Sequence, residues 1–261
     1  MSQFNYYDNI AAIYDQTRWM SESVAEEVAD YILALVHANP DTSFLEPGVG
    51  TGLNVLPLVK RGYSVTGIDI SQEMLNQFRN KLKGNPENLT LIQADASQLP
   101  LPGASFDVVL TVHMVHTVSH WQKFLGEVER VLKPGGFYLN AQWITPPARM
   151  EFEHYFKAFL AKGTHTPSST PSQEINVEDY FGQKGYRANY AVVKKWLVSN
   201  TVEELLGFLQ ARAYGLCWRS SDKEFERALN KFETFCLGHY GSLKTEISSE
   251  AQFEIWAYQL S

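Results

Sequence analysis

Cysteine is almost missing from these 261 residues: there are two, Cys217 and Cys236, and they form no CxxC pair. That argues against a disulfide framework and favours a reducing, cytoplasmic compartment. Basic clusters are missing too. None is longer than Lys194–Lys195, and with a formal charge of −7 nothing electrostatic recommends nucleic acid or an anionic membrane as a partner. No apolar run approaches the ~20 residues needed to span a bilayer. No internal repeat is present, and the opening MSQFNYYDN is polar and aromatic, unlike a signal or transit peptide. What is left is the ordinary composition of a globular protein, 44% hydrophobic and 20% charged, long enough to bury a sizeable core. The expectation is a soluble cytoplasmic protein.

Up to residue 144, helical and strand patterns alternate. Val24, Val28, Tyr31, Ile32, Leu35 and Val36 recur at helical spacing across 23–36, behind a Ser23–Glu26 capping-box signal. SFLE (43–46) predicts a strand that runs into a glycine-rich turn. NVLPLVKRG (54–62) predicts a helix ending at Gly62, with Pro57 tolerable only near its first turn. SVTGID (64–69), LTLIQAD (89–95), FDVVLTV (106–112) and FYLNAQWI (137–144) predict further strands. Between them, SQEMLNQFRNKL (71–82), capped by Ser71, and WQKFLGEVERVLKPGG (121–136) predict amphipathic helices. Five strands separated by helices argue a parallel, doubly wound α/β sheet.

After Pro146–Pro147 the rhythm changes. Residues 150–161 read as a helix, THTPSSTPSQ (164–173) as a Ser/Thr/Pro-rich loop suited to a lid, 190–200 and 253–260 as strands, 201–214 and 222–238 as helices. The expected division is a core over 1–145, a cap or insertion over the substrate site at 146–189, and a part completing the sheet at 190–261.

The first strand ends in Glu46-Pro47-Gly48-Val49-Gly50-Thr51-Gly52. Such a strand-to-helix turn lets a ligand approach the backbone and presents free helix N–H groups. A dinucleotide fingerprint GxGxxG fails here: from Gly48 it would need a small residue where Leu53 stands, and from Gly50 where Val55 stands. Glu46 would also repel a pyrophosphate, whereas it suits an ammonium group. Asp69, at the end of the second strand, stands where doubly wound folds place an acid on ribose hydroxyls. The pocket therefore suits a ribonucleoside joined to something cationic. An NAD-dependent oxidoreductase is the weaker alternative.

These residues resemble the class I S-adenosylmethionine-dependent methyltransferases, in particular the UbiE-like (methyltransferase type 11) group. FLEPGVGTG resembles the first motif of that family, VTGIDIS the second, IQADASQLPLPGASFDVVLTVHMVHTV the third and LKPGG the fourth, so the likeness covers roughly residues 4–144. It implies a Rossmann-like, mostly parallel seven-stranded sheet with helices on both faces and a helical cap inserted after the fifth strand. It implies S-adenosyl-L-methionine as cofactor, S-adenosyl-L-homocysteine as product, no metal, and a small-molecule methyl acceptor. Carried onto this chain, Gly48, Gly50 and Gly52 would hold the methionine moiety with Glu46 near its ammonium. Asp69 would take the ribose hydroxyls, Ile70 and Met74 would flank the adenine, and Asp95 with the Ala96 backbone would read its edge. The Thr111 backbone would face the ammonium. YYDNIAAIYDQTR resembles the N-terminal helix of the family, which brings Tyr14 and Arg18 to the cofactor; packing alone is the competing reading for Tyr14. A non-catalytic S-adenosylmethionine-binding protein is the other alternative.

The segment HMVHTVSHW (113–121) spaces His113, His116 and His120 as one helical face would, a metal-like pattern. A strand end before it and an S-x-x-Q capping box at Ser119–Gln122 interrupt that face, which argues against a metal. His116, in a VHTV resembling the LHxV-like pattern of the family, is the candidate base; bracing the loop through a backbone carbonyl is the competing reading. His113 is a candidate for the same rim. Trp143, Phe152 and Tyr155 are candidate walls of an acceptor pocket, against the alternative that these aromatics pack in the core.

Overall fold

The computed structural model describes residues 3–82, 84, 86–161, 175–217 and 220–261. The Ser/Thr/Pro-rich stretch at 164–173 lies outside them. In chain order the elements are α1 (Gln3–Ile10), α2 (Glu22–Leu35), β1 (Ser43–Pro47), α3 (Leu56–Lys60), β2 (Ser64–Asp69), α4 (Gln72–Asn80), β3 (Leu89–Gln93), β4 (Phe106–Val112), α5 (Trp121–Val131) and β5 (Leu132–Ile144). Then follow α6 (Pro147–Ala161), α7 (Val177–Gly182), β6 (Asn189–Thr201), α8 (Val202–Gln210), α9 (Asp222–Tyr240) and β7 (Glu246–Gln259). No described helix is long and apolar enough to cross a membrane.

The seven strands form one sheet in the order β3-β2-β1-β4-β5-β7-β6. The pairings β1–β2, β2–β3, β1–β4 and β4–β5 are parallel, while β7 runs antiparallel to both β5 and β6. The strand order reverses between β1 and β4, so the crevice beyond their carboxyl ends is where a ligand fits this topology.

Side-chain alternation builds the two faces. Phe44, Val108 and Leu110 point to one face with Val28 and Ile32 of α2 and Leu75 and Phe78 of α4. Leu45, Val109 and Tyr138 point to the other, with Phe124, Leu125 and Val128 of α5 and Phe181 of α7. A third cluster joins Phe152 and Phe156 of α6 to Leu205 and Leu209 of α8 and Phe225 and Phe232 of α9. The segment after β5 thus divides: α6 packs with two helices from beyond β6, and α7 packs under the sheet.

Three local expectations change. Ser21, not Ser23, caps α2, accepting from the Val24 N–H at 3.3 Å. Helix α5 stops at Val131 rather than continuing through LKPGG, because Pro134 disfavours helical backbone at Lys133 and Leu132 is already extended. LKPGG instead becomes an irregular start to β5, between the Phe106–Leu132 and Val108–Phe137 pairs. Finally, α5 begins at Trp121 with His120 at its N-cap and no side-chain cap, so the Ser119–Gln122 box does not form.

Candidate active site

The turn after β1 is built from three glycines in left-handed backbone, Gly48, Gly50 and Gly52 at φ +72°, +55° and +75°, a conformation that disfavours L side chains. Their surroundings differ. A Cβ on Gly48 would meet Met114 Cγ at 2.6 Å, and one on Gly52 the Phe78 ring at 2.4 Å. A Cβ on Gly50 would have nothing within 4 Å. Gly48 and Gly50 line the cavity described below; Gly52 faces the buried Phe78 ring, and its role is packing the turn onto α4.

The crevice holds two adjoining lobes that share Tyr7, Tyr14, Gly48, Gly50, Val112 and His113. The first, about 350 Å³, has Asp69, Ile70 and Met74 along one side and Asp95 and Ala96 among its other walls, with His120 at the same lobe. Asp69 accepts from the Gly50 and Ser71 N–H groups, each at 2.8 Å, which ties the glycine turn to the end of β2. Asp95 takes the Ser97 N–H through Oδ1 at 2.8 Å. The second lobe, about 380 Å³, carries Arg18, Trp19, Asn54, His116, Trp143 and Glu153. Arg18 lies 4.0 Å from the centroid of the Tyr14 ring.

Glu46 is fully buried at the end of β1. Its Oε1 accepts from Asn54 Nδ2 at 2.7 Å, while Oε2 has no hydrogen-bond partner among the described residues. Burial pushes its pKa up to about 8, against the opposing Asn54 hydrogen bond and with the help of the negative Asp69. A buried carboxyl oxygen with nothing to bond to is costly.

His113 and His116 meet edge to face with ring centroids 6.3 Å apart. Residue 113 has φ +51°, unusual for a residue with a Cβ. His113 is open to the cavity but deep in the protein, and burial pushes its pKa down to about 4. Burial also lowers that of His116, and among the described residues no backbone carbonyl accepts a hydrogen bond from its ring. His120 lines the first lobe, not the second. The three imidazoles therefore do not converge, and among the described residues no group of three or more His, Cys, Asp or Glu side chains could hold a metal ion.

Besides Gly52, four expected site residues line neither lobe: Glu46, sealed at the end of β1, and three more. Thr111 is fully buried and shares a 3.0 Å hydrogen bond with the Tyr138 hydroxyl; its neighbour Val112 lines both lobes instead. Phe152 is buried against Phe232, and Tyr155 packs on Phe235 and His239, so neither lines a lobe. Aromatics at helical spacing on α6 face α9 because that is where apolar area is buried. Sequence reasoning missed Tyr7, Trp19, Asn54, Glu153 and Tyr214. The tyrosine pair in YYDN and the Arg149/Glu153 spacing of four were the available signals.

A methyltransferase-domain family model matches residues 45–140, the stretch from within β1 to within β5. The demethylmenaquinone methyltransferase of Tropheryma whipplei is 34% identical over 185 residues, covering 67% of this chain and 75% of that relative. The fatty-acid O-methyltransferase of Mycolicibacterium smegmatis is 33% identical over 125 residues, 45% of each chain. Among solved structures, Haemonchus contortus phosphoethanolamine N-methyltransferase 2 in complex with S-adenosyl-L-methionine shares the fold. It has a TM-score of 0.55 at 15% identity, over 99% of this chain and 58% of that one.

Proposed function

The chain belongs to the class I S-adenosylmethionine-dependent methyltransferases of UbiE-like type, and from that premise we propose that its two lobes divide the reaction, the first holding the nucleoside and the second the methyl acceptor. The observation that carries this reading is the orphaned Glu46 Oε2, buried beside a glycine turn whose middle glycine opens on empty space. An ammonium is the partner that oxygen lacks, and the open face of Gly50 admits a close approach by a ligand. Asp69 would accept from ribose hydroxyls, Ile70 and Met74 would flank the adenine, and Asp95 with the Ala96 backbone would meet its edge. Tyr14 and Arg18 would close over the methionine end, with the guanidinium suited to its carboxylate.

When bound, the cofactor supplies a methyl group already activated by its sulfonium. The protein residues then have three tasks. Trp19, Trp143 and Tyr7 exclude water and hold the acceptor so that its nucleophilic atom lies in line with the S–CH3 bond. Aromatic faces around the lobe favour the positive charge as it disperses. His116, neutral and with no hydrogen-bond partner among the described residues, takes a proton from an acceptor that must lose one. The acceptor is a small or medium organic molecule, and α6, with α8 and α9 packed on it, forms the cap of its lobe.

Calorimetry with S-adenosylmethionine, S-adenosylhomocysteine and NAD tests the cofactor assignment: the first two should bind and the third should not. Incubation with metabolite mixtures should then yield a product heavier by one methylene. Tight NAD binding without S-adenosylmethionine binding would overturn the reading.

A further inference from the structure

The expected cofactor contacts leave one wall of the second lobe unexplained. Glu153, on α6, lines that lobe, and Arg149 stands one helical turn before it. Arg149 is only 4% exposed, and most of its guanidinium is engaged elsewhere. It donates through Nη2 to the Thr17 carbonyl oxygen at 2.7 Å and to the Tyr214 hydroxyl. It also lies over the Trp19 and Tyr214 rings, 4.9 and 5.0 Å from their centroids. Its Nε faces Glu153 Oε1 at 3.5 Å, an ion pair whose geometry leaves the buried Nε without a hydrogen bond. Arg149 engages the Glu153 carboxylate on its Oε1 side, and among the described residues none donates a hydrogen bond to Oε2. A buried cation thus fixes this carboxylate by charge, while its hydrogen-bonding capacity stays turned to the cavity. Burial holds the proton affinity of Glu153 above the ordinary carboxylate range, against the pull of Arg149 and Arg18.

We propose that Glu153 is the specificity-determining residue of the acceptor lobe, accepting a hydrogen bond from an O–H or N–H group of a neutral acceptor, with Arg149 as its positioning residue. The inference rests on the division of lobes set out above. Charge decides between acceptor classes. A carboxylate-bearing acceptor would meet Glu153 as a like charge, and Arg149 is already committed to Thr17, Tyr214 and Glu153. An ammonium-bearing acceptor would gain Glu153 but face the guanidiniums of Arg149 and Arg18. A neutral donor carries neither cost, and it fills the open accepting positions that an aprotic compound would leave unmet. The Trp19, Trp143 and Tyr214 rings give the lobe aromatic walls that suit a ring-bearing body.

The test uses the full chain loaded with S-adenosylhomocysteine, as wild type, Glu153→Gln and Glu153→Ala, titrated calorimetrically with naphthol, naphthoate and methoxynaphthalene. These probes share a ring system and differ in polarity. Wild type should prefer naphthol to each of the others by about tenfold. Glu153→Ala should lose the preference over methoxynaphthalene. Glu153→Gln, which keeps an accepting oxygen but drops the charge, should hold naphthol within about threefold and relax the discrimination against naphthoate. A residue that merely braced α6 would not move those ratios, and unchanged S-adenosylhomocysteine affinity certifies that the variants fold. Equal binding of naphthoate and naphthol by wild type, an unchanged preference in Glu153→Ala, or no binding of any probe would overturn the proposal. Failure of wild type to bind S-adenosylhomocysteine would instead overturn the cofactor assignment beneath it.

Discussion

The imidazole of His113 is clasped by the main chain of Trp143, with Nε2 lying 2.8 Å from the amide nitrogen and 2.6 Å from the carbonyl oxygen. The parallel ladder between β4 and β5 reaches His113, whose own N–H donates to the Ala141 carbonyl oxygen at 3.1 Å. The backbone then turns left-handed, at φ +51°, and the ring swings back to meet the next inward position of β5. One ring nitrogen is thereby committed to structure. Nδ1 is the ring nitrogen left for the cavity.

His113→Ala should therefore cost stability as well as altering the rim. Losing a buried hydrogen bond of this kind costs about 1–3 kcal/mol. Because the backbone is left-handed, His113→Gly should be less damaging than His113→Ala, the reverse of the usual order. The pH dependence carries a second signature. Burial holds the folded-state pKa near 4, below the ordinary ~6.5 of histidine, so the unfolded chain binds the extra proton first. That contribution to stability is complete above the ordinary value and is lost as pH falls through the folded one. Urea melts at several pH values should show this acid-side loss in wild type relative to His113→Ala; parallel curves would remove the assignment.

Glu46 works in the opposite sense. Its folded pKa of about 8 lies above the ordinary glutamate value of ~4.3, so the folded chain holds the proton longer. Stability of the ligand-free protein should fall as pH rises through that window, and Glu46→Gln should abolish the fall. Where the two windows overlap, the Glu46 and His113 slopes oppose each other, so the single variants reveal what wild type conceals. An ammonium ligand needs the ionised carboxylate. At neutral pH, S-adenosylmethionine binding should release close to one proton in wild type and none in Glu46→Gln, read by calorimetry in buffers of different ionisation enthalpy. Affinity in the variant should drop on the order of tenfold to a hundredfold.

What the sequence makes legible follows from how local each signal is. The strands, the Ser71 cap and the place of Asp69 at the end of β2 rest on alternation or on chemistry at strand ends, and all appear in the structure. The roles of individual glycines do not, because Gly52 is demanded by Phe78 on a different helix. The Arg149–Glu153 wall is equally hidden: Arg149 is oriented by Thr17 and Tyr214, 132 and 65 residues away. Phe152 and Tyr155 show the limit from the other side, since helical spacing says that a face is buried but not against what.

The glycine turn offers a paired test. Gly50→Ala and Gly52→Ala impose similar left-handed strain, at φ +55° and +75°, costing about 1–2 kcal/mol each. Only the second also drives a methyl into the Phe78 ring, adding an overpacking cost of about 1–3 kcal/mol. Thermal melts should rank Gly52→Ala as the less stable variant. Cofactor titration should rank Gly50→Ala as losing more affinity, because its new methyl enters the cavity that the ligand needs. The reverse order in both assays would mean that the open face of Gly50 is not where the ligand approaches.

His116 is the sharpest test of mechanism because its structural role is so slight. Its ring meets His113 edge to face at 6.3 Å and has no hydrogen-bond partner among the described residues, so removing it leaves none of their buried polar groups unsatisfied. His116→Ala should keep its melting temperature and bind S-adenosylmethionine within about twofold of wild type. If the acceptor must lose a proton, turnover should fall by ~10²–10⁴-fold. Burial lowers the pKa of this imidazole, so the wild-type base stays neutral to a lower pH than an ordinary histidine. The acid limb of the rate profile should therefore lie below ~6.5, and it should vanish in the variant. A variant with full activity would leave the acceptor to lose its proton elsewhere; one with normal pH dependence but poor stability would make His116 a strut.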